Sequence, residues 1–364
     1  MRKKIRGIFM ENIKNPILYK DLCDVANSVF LKEIDGGSTI LVTGATGMIG
    51  FQIIQSIVFH NNICNKNIKI IALARNKKKA DDLFKGLVDE GKVDVYICDI
   101  NEKIEISNQI DYIIHGASAT SSRYFVTNPV ETILTALHGT KNILEIAKEK
   151  NIKKMVYLSS LEVYGTPDEK MDYITEKDYG YLDPMQVRSS YSEGKRMAEC
   201  LCASYAKEYK VPVLVARLSQ TFGAAVSYED SRVFAEFARC VIEKRNIVLH
   251  TAGRTVRSYC YTKDAITAIV CLLTRGKAGE AYNITNMNTA ISIKEMAELV
   301  SRLSSDHAVK LVYDIPEDVA ELGYNPEMII RLDNTKLKSL GWTPTTDLEE
   351  MYVRLIKSME FDKK

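Results

Sequence analysis

The stretch that most constrains the fold of this chain is a strand, a glycine-rich turn and a helix in immediate succession, within residues 39–58. The apolar run Ile40–Val42 predicts a buried parallel strand, and the apolar periodicity after the turn predicts a helix. Gly44 permits the tight turn, Gly47 lets the backbone approach a pyrophosphate, and Gly50 lets the helix pack on the strand. The free N–H groups and the dipole at the helix N-terminus favour an anion. The turn therefore predicts the phosphate-binding unit of a dinucleotide fold.

The spacing of the glycines narrows this prediction. It is G-x-x-G-x-x-G, and no Lys-Ser or Lys-Thr pair follows the last glycine, which excludes a P-loop. A glycine-rich turn that binds nothing is the alternative interpretation. The turn residues predicted to contact the cofactor are Gly44, Thr46, Gly47, Met48, Ile49 and Gly50.

Strands that alternate with helices along the chain predict an α/β fold, a Rossmann doubly wound parallel sheet. The predicted strands are 40–42, 68–74, 93–97, 112–114, 154–158 and 281–284. The helices predicted after the glycine turn lie at about 78–90, 129–150, from 191 onwards, and 264–273. Ligands in such sheets bind beyond the carboxyl ends of the strands. That rule places Gly44–Gly50, Arg75, Asp99, His115–Ser118 and Ser159–Glu162 along one edge.

The residue after the second strand distinguishes NAD from NADP. An acidic residue there binds the ribose 2′-OH of NAD, whereas an arginine accommodates the 2′-phosphate of NADP. This chain has Arg75 at that position and no acidic residue before Asp81. The planar guanidinium of an arginine suits a phosphate. The alternative interpretation is that Arg75 belongs to an ordinary basic loop. We therefore expect NADP or NAD as the cofactor, with NADP favoured by Arg75.

Three side chains with a shared chemistry follow the strand at 154–158. Ser160 comes directly after the strand, and Tyr191 and Lys195 are four residues apart on a predicted helix, so they share a face. An ammonium nearby, together with a cationic nicotinamide, would lower the pKa of the tyrosine, which is ordinarily near 10. Tyr191 would then exchange a proton with a substrate hydroxyl while hydride moves at the adjacent carbon, and Ser160 would bind the same oxygen. A surface pair without function is the alternative for Tyr191 and Lys195.

Composition excludes several classes of function. A net charge of +2 gives no reason to expect nucleic acid or an anionic membrane as partner, and no apolar stretch reaches the membrane-spanning length of about 18 residues. The basic N-terminus lacks an apolar signal core, so a cytoplasmic location is expected. The eight scattered cysteines predict reduced thiols, and the five histidines show no metal-ligand spacing.

Together these motifs resemble the extended short-chain dehydrogenase/reductases, the nucleotide-sugar epimerase/dehydratase family, over about residues 38–350. The resemblance implies a Rossmann domain, a smaller C-terminal α/β substrate domain, catalytic Ser160, Tyr191 and Lys195, and a homodimer. It also implies that Asp99 contacts adenine and that Lys195 contacts the nicotinamide ribose. The expected domains are an N-terminal helical extension (1–36), the dinucleotide-binding domain (37–221) and the substrate domain (222–364), with some later segments returning to the Rossmann sheet. Further cofactor contacts are expected at Ile100, Gly116, Ala117, Ser118 and Tyr191.

A finer resemblance points to the UDP-glucuronate decarboxylase branch, with the dTDP-glucose 4,6-dehydratases next. It rests on the segments 115–129, 162–165 and 191–199. In those relatives a glutamate at the position of Glu162 lies beside the sugar, and an arginine at the position of Arg257 binds substrate. Glu162 is therefore also expected to be catalytic, polarising or deprotonating a sugar hydroxyl. The substrate-binding residues implied in this chain are Ser118, Tyr124, Glu162, Gln220, Arg232 and Arg257.

The chain departs from that branch at several positions. Dehydratases pair the glutamate with an aspartate acid, but this chain has Leu161 there, which argues against a 4,6-dehydratase. The branch has asparagine where this chain has Ala136 and Gln220, and an acidic residue where it has Arg75. These positions belong to the cofactor and sugar sites, so they bear on the particular reaction.

Two enzymatic hypotheses and one of a different class remain open. In the redox-neutral hypothesis, bound NAD⁺ oxidises the sugar C4 hydroxyl, decarboxylation or elimination follows, and the hydride returns. In the alternative, NADPH reduces a nucleotide-linked keto sugar and leaves, for example in converting a CDP-ketose to a CDP-alditol. Glu162 and Arg257 favour the first, which we rank slightly ahead, while Arg75 and the missing aspartate favour the second. A non-catalytic dinucleotide-binding sensor is the third hypothesis, and the intact Ser160, Tyr191 and Lys195 set argues against it.

Overall fold

The computed structural model describes residues 13–304, 308–316 and 327–363. The first twelve residues of the predicted N-terminal extension and His307 lie outside the described residues.

A seven-stranded parallel sheet forms the centre of the molecule, with the strand order β10-β6-β5-β4-β1-β2-β3. Its strands are β1 (Thr39–Thr43), β2 (Lys69–Ala74), β3 (Asp94–Ile97), β4 (Tyr112–His115), β5 (Lys154–Ser160), β6 (Val213–Leu218) and β10 (Ala281–Ile284). The predicted Rossmann α/β class is confirmed, and the six predicted strands all lie in this sheet. Strand β6 is not among the predicted strands; its apolar run includes Arg217, a charged residue buried through an ion pair with Glu199.

Helices cover both faces of this sheet, as a doubly wound fold requires. On one face α3, α4 and α10 pack into one apolar core with α2, and on the other α7 and α8 pack into a second. The bounds are α1 (Pro16–Ala26), α2 (Val29–Lys32), α3 (Met48–Cys64), α4 (Lys77–Asp89), α5 (Ser122–Thr127), α6 (Pro129–Leu134), α7 (Thr140–Glu149), α8 (Ser190–Glu208), α9 (Val233–Glu243), α10 (Thr262–Arg275), α11 (Ile293–Arg302), α12 (Thr335–Lys338) and α13 (Leu348–Lys363).

The C-terminal part of the chain builds a further apolar core. Two small sheets, β11-β9-β7 and β12-β8, pack with α9, α11 and α13 around this core. Their strands are β7 (Gln220–Phe222), β8 (Ile247–Leu249), β9 (Val256–Tyr261), β11 (Asn286–Ser292) and β12 (Leu311–Tyr313). Strand β10 lies between these segments in the chain but pairs with β6 in the central sheet. The division into domains at residues 36 and 221 stays a prediction.

The N-terminal helices cover the outer face of α3. Leu22 and Ala26 of α1 form an apolar cluster with Phe59, and the ring of His60 hydrogen-bonds the Ala26 carbonyl at 2.6 Å. Residues 52–60 of α3 are therefore buried without interruption. The apolar face predicted from the sequence covers only one side of this helix and does not indicate such burial. Asp21 ties the same helix to the C-terminal part of the chain, accepting hydrogen bonds from the Tyr261 hydroxyl and from Arg354.

One helix prediction needs correction. The helix predicted to run unbroken over residues 129–150 is divided by a π-helical turn, Thr135–Gly139, between α6 and α7. Within this turn Gly139 lies against Ile100 and Ala136 lies against Gly194, close contacts with distant segments that periodicity cannot show. Met197 of α8 is 56% exposed, whereas Ala198 and Cys202 of the same helix are buried.

Candidate active site

The glycine turn has the geometry that its spacing predicts. Gly44 has a φ of +67°, and a Cβ at this residue would lie 2.7 Å from the Gly116 carbonyl of the neighbouring strand. A Cβ on Gly50 would lie 2.5 Å from the Gly44 oxygen. Any larger residue at either position would therefore force the turn away from β4 or the helix away from the turn.

The beginning of α3 can hold an anion. Gly47 is the N-cap of this helix, is exposed, and supplies no side chain to the first backbone N–H groups. Those groups and the positive end of the helix dipole therefore face outward without a side-chain acceptor. The donor set fits the pyrophosphate of a dinucleotide, which Thr46, Met48 and Ile49 would flank.

The other predicted cofactor residues follow the carboxyl ends of neighbouring strands. Arg75 follows β2 and is exposed, with no hydrogen bond or ion pair to any described residue. Asp99 and Ile100 follow β3, and Gly116–Ser118 follow β4. The Ala117 N–H donates to Thr43 Oγ1 at 3.2 Å, which fixes the backbone of that segment beside the glycine turn.

Ser160, Tyr191 and Lys195 lie together at the carboxyl end of β5. Ser160 is the last residue of β5, and its side chain accepts a hydrogen bond from the Glu162 N–H at 3.3 Å and hydrogen-bonds Tyr191. Tyr191 and Lys195 come from the first turns of α8, with the Lys195 Nζ 5.8 Å from the Tyr191 ring centroid. Lys195 Nζ also donates to the Leu158 carbonyl of β5 at 2.8 Å.

The expected lowering of the tyrosine pKa is not found in the chain alone. Burial raises the pKa of Tyr191 to about 12, against a smaller lowering by its hydrogen bond to Ser160. The charge of Glu162 raises this pKa further, and that of Arg188 lowers it. The prediction assigned the lowering to Lys195 and a cationic nicotinamide together, but the Lys195 ammonium is bound to the Leu158 carbonyl. The protein's own groups therefore favour the protonated tyrosine.

Lys195 is affected by burial in the opposite direction. Burial lowers its pKa from 10.5 to about 8, and the nearby carboxylate of Glu199 opposes that shift. The same burial, together with the charge of Lys195, lowers the pKa of His115 to about 3, so this histidine is neutral. His115 hydrogen-bonds Thr43 at 2.7 Å and Thr140 at 3.2 Å, which fits a structural role under the site.

A buried ion pair lies behind these residues. Arg217 of β6 and Glu199 of α8 are joined at 2.6 Å, and the Ser159 hydroxyl donates to Glu199 at 2.5 Å. Arg217 also donates to the Tyr164 hydroxyl at 2.9 Å. Because Ser159 directly precedes Ser160, this network fixes the end of β5 against the helix that carries Tyr191 and Lys195.

Glu162 lies beside the tyrosine in a short helical turn, Leu161–Tyr164. Its carboxylate accepts a hydrogen bond from Ser192 at 3.3 Å and is 3.5 Å from the guanidinium of Arg188. Arg257 of β9 is close enough for the charge of Glu162 to raise its pKa, although burial lowers that pKa more strongly. Arg257 is only 9% exposed, and its Nη1 has no hydrogen-bond partner in the described structure.

Two residues that the sequence analysis did not identify complete this cluster. Phe125 stacks on Tyr191, with ring centroids 4.2 Å apart and planes inclined by 11°. The guanidinium carbon of Arg188 lies 5.1 Å from the centroid of the Phe125 ring. Arg188 precedes Tyr191 by three residues, the spacing of one helical turn, so it could have been found from sequence. Phe125 is far away in the chain and has no such signal.

The remaining predicted substrate residues are not joined to this cluster by hydrogen bonds or ion pairs in the part of the chain that the structure describes. Tyr124 lies on α5, next to Phe125, and Ser118 follows β4. Gln220 lies in β7, outside the central sheet. Arg232, the N-cap residue of α9, is held by a bidentate ion pair with Asp230 at 2.6 Å. Their roles toward substrate stay predictions.

Leu161 lies at the position where the resemblance to the dehydratases would imply an acid. Its side chain is buried in an apolar cluster with Val163 and Tyr164. Glu162 is therefore the carboxylate that this turn presents to the tyrosine.

Comparison with known proteins shows the family. The model of the NAD dependent epimerase/dehydratase family matches residues 40–285. This chain belongs to that family. One similar protein is UDP-glucuronic acid decarboxylase 6 of Arabidopsis thaliana. It is 29% identical to this chain over 321 residues, which cover 88% of each protein. The resemblance stated from the motifs is confirmed.

Solved structures of family members have the same fold. The UDP-glucose 4-epimerase of Thermotoga maritima superposes with a TM-score of 0.75 at 21% identity, over 90% of this chain and 100% of that one. The UDP-glucuronic acid 4-epimerase of Bacillus cereus, solved with UDP-glucuronic acid and NAD, gives a TM-score of 0.69 at 20% identity, over 89% and 99%.

Metal-ligand clusters, membrane-spanning helices and disulfides are absent from the described part of this chain. No three histidine, cysteine or acidic side chains in it converge as metal ligands would. None of its described helices combines the length and the apolar composition that crossing a bilayer requires. The eight cysteines are free thiols.

The burial of Lys195 predicts a pH-dependent stability. Below pH 8 the Lys195 ammonium is charged in both the folded and the unfolded protein. The folded protein then bears the full free-energy cost of burying this charge. Between pH 8 and 10.5 the folded protein releases the proton while the unfolded chain keeps it, so stability rises with pH. A Lys195→Met variant stripped of dinucleotide should therefore lose about 3 kcal/mol of its stability relative to wild type between pH 7 and 10.5.

This difference is measured by urea unfolding of both proteins at each pH. Lys207→Met changes an exposed lysine of the same helix and should show a constant difference from wild type. A constant difference for Lys195→Met as well would contradict the lowered pKa.

Proposed function

We propose that this protein is an NAD(P)-dependent enzyme that acts on a nucleoside-diphosphate sugar at C4, with a redox-neutral decarboxylation of UDP-glucuronate as the first reaction to test. The observation that carries the proposal is the placement of Glu162 beside Ser160 and Tyr191, with Leu161 buried away from them. The curated decarboxylase relative, similar over 88% of the chain, supports it.

The chain's own residues would divide the work as follows. Tyr191 takes the proton of the C4 hydroxyl and later returns it, and Ser160 holds the same oxygen through its hydroxyl. Glu162 binds or polarises a neighbouring sugar hydroxyl. Lys195 supplies positive charge next to the tyrosine and a contact to the nicotinamide ribose. A nicotinamide held by the glycine turn and Lys195 would supply reversible hydride transfer at C4. With C4 as a ketone, the C5–C6 bond would break, its electron pair would pass into an enolate at the C4 oxygen, and carbon dioxide would leave. A proton taken up at C5 and the return of hydride to C4 would complete the cycle.

The cofactor and substrate are proposed to lie across the carboxyl edge of the sheet. The glycine turn would hold the pyrophosphate, and Asp99 with Ile100 would border the adenine. Gly116–Ser118 would lie between cofactor and sugar. The further substrate contacts proposed are Tyr124, Gln220, Arg232 and Arg257.

Replacing the tyrosine tests the catalytic assignment. Tyr191→Phe removes the hydroxyl that carries the proton but keeps the ring that stacks on Phe125. We expect turnover of UDP-glucuronate to fall by a factor of about 100 to 10,000, the usual contribution of a positioned acid or base. The fall should appear in kcat, measured by carbon dioxide release and by the nucleotide product.

A matched change supplies the control. Tyr209→Phe removes the hydroxyl of a half-exposed tyrosine at the end of the same helix and should leave turnover unchanged. Near wild-type activity of Tyr191→Phe would contradict the mechanism. Dinucleotide binding by wild type without turnover of any nucleotide sugar would instead favour a sensor.

A net reductase that uses NADPH remains the second candidate because of Arg75. Its exposed guanidinium has no partner among the described residues and stands where a 2′-phosphate would be bound.

The dinucleotide released from freshly purified, denatured protein separates the two candidates. One equivalent of NAD⁺ supports the retained cofactor of a redox-neutral cycle. Protein that is empty and then binds NADPH at least tenfold more tightly than NADH supports the reductase, and nucleotide-linked keto sugars become the substrates to test.

We also propose a homodimer formed through α6 and α8. Val130 and Leu134 are four residues apart on α6 and 59% and 40% exposed, and Met197 is exposed on the neighbouring α8. A second copy would bury this apolar surface.

Val130→Glu combined with Leu134→Glu should shift the sedimentation mass from dimer to monomer. Ile63→Glu, at an exposed position near the end of α3, should leave the mass unchanged. A monomeric wild type would contradict the proposal.

A further inference from the structure

Arg188 is positioned by the catalytic helix but is not used by the mechanism above. It lies in the short helical turn Val187–Ser189 that leads into α8. The guanidinium rests on the Phe125 ring, and Phe125 in turn stacks on Tyr191. Its one ion pair, with Glu162, is long at 3.5 Å and is partly exposed to solvent. Among the described residues no other ion pair or hydrogen bond uses its remaining N–H donors.

The charges around Glu162 do not balance. The single carboxylate of Glu162 faces two guanidinium groups, Arg188 and Arg257. Arg257 is nearly fully buried, and its Nη1 lacks any hydrogen-bond partner in the described structure. A buried cation without a counter-charge is costly. Counting the described residues alone, this wall of the site carries one unmatched positive charge and donors suited to an anion.

The position of this wall selects which substrate group it can meet. This step rests on the proposed function, in which the sugar C4 oxygen lies at Tyr191. The substituents next to C4 are the C3 hydroxyl and the group on C5, whereas the diphosphate on C1 is across the ring. Arg188 is separated from Tyr191 by the Phe125 ring. An anionic group of the substrate that reaches Arg188 is therefore the substituent on C5 and not the diphosphate.

We propose that Arg188 is a specificity-determining residue, which binds the C6 carboxylate of a nucleotide-linked hexuronic acid on one side of Glu162, with Arg257 supplying the second positive charge. The carboxylate completes the charge balance of this wall. A sugar with an uncharged hydroxymethyl group at C6 leaves it unmatched. Selection between the two sugars is thus made by charge at one substituent.

The test compares two ligands that differ at C6 alone. Titration calorimetry on protein loaded with reduced dinucleotide, which cannot accept hydride and so prevents turnover, measures the affinities for UDP-glucuronate and UDP-glucose. Wild type should prefer UDP-glucuronate, and Arg188→Gln should weaken UDP-glucuronate binding by about 10- to 100-fold, the range of a charged hydrogen bond. UDP-glucose binding should change by less than about threefold. Arg188→Lys should keep part of the preference, because it keeps the charge and loses the planar fork.

Two further variants exclude other causes. Arg188→Gln combined with Glu162→Gln removes the carboxylate that the first change leaves unpaired, so a preference that is still lost cannot be due to repulsion by Glu162. Arg275→Gln is the matched control: Arg275 also pairs with a glutamate, Glu33, and lies over a phenylalanine ring, Phe30, on the opposite face of the sheet. It should bind both ligands as wild type does.

The outcomes separate this inference from the proposed function. An unchanged preference in Arg188→Gln, or equal weakening of both ligands, overturns the role of Arg188 and leaves the proposed function standing. A wild type that binds dinucleotide but neither sugar overturns both.

Discussion

The arrangement of the candidate site depends on the buried ion pair between Arg217 and Glu199. It joins β6 to α8, and through Ser159 it also fixes the end of β5. The strands β5 and β6 and the helix α8 thus meet at one carboxylate. Such a pair adds little net stability, because desolvation offsets the attraction, but its directional hydrogen bonds allow one relative position of strand and helix. That position sets where Ser160, Tyr191 and Lys195 stand.

The sequence was sufficient for the parts of the fold that depend on local pattern. The glycine turn, the alternation of strands and helices and the Ser160, Tyr191 and Lys195 set each depend on residues close together in the chain. These features gave the Rossmann class and the family. The contacts that determine the π-helical turn Thr135–Gly139 and the burial of Arg217 come from distant segments, and no local pattern indicates them.

The same distinction applies to the site. Arg188 is one helical turn before Tyr191 and was within reach of a sequence argument, whereas Phe125 reaches Tyr191 only because α5 packs beside α8. Burial is also a tertiary property, and in the chain alone it raises the pKa of Tyr191. The predicted lowering, which included the charge of a bound nicotinamide, stays a prediction. A motif specifies which groups meet but not how much water is left around them.

This burial has a consequence for how the site operates. Tyr191 is protonated well above neutral pH, and the nearest ammonium, Lys195, is engaged with the Leu158 carbonyl and has its own pKa lowered to about 8. The chain alone therefore keeps Tyr191, the proposed proton acceptor, in the protonated form, which cannot accept a proton. A positive charge brought next to Tyr191 from outside the chain would favour the phenolate, with an effect strengthened by the low dielectric of the buried site. The protein would then become competent for proton transfer only when the charge that drives hydride transfer is present, which couples the two transfers through electrostatics alone.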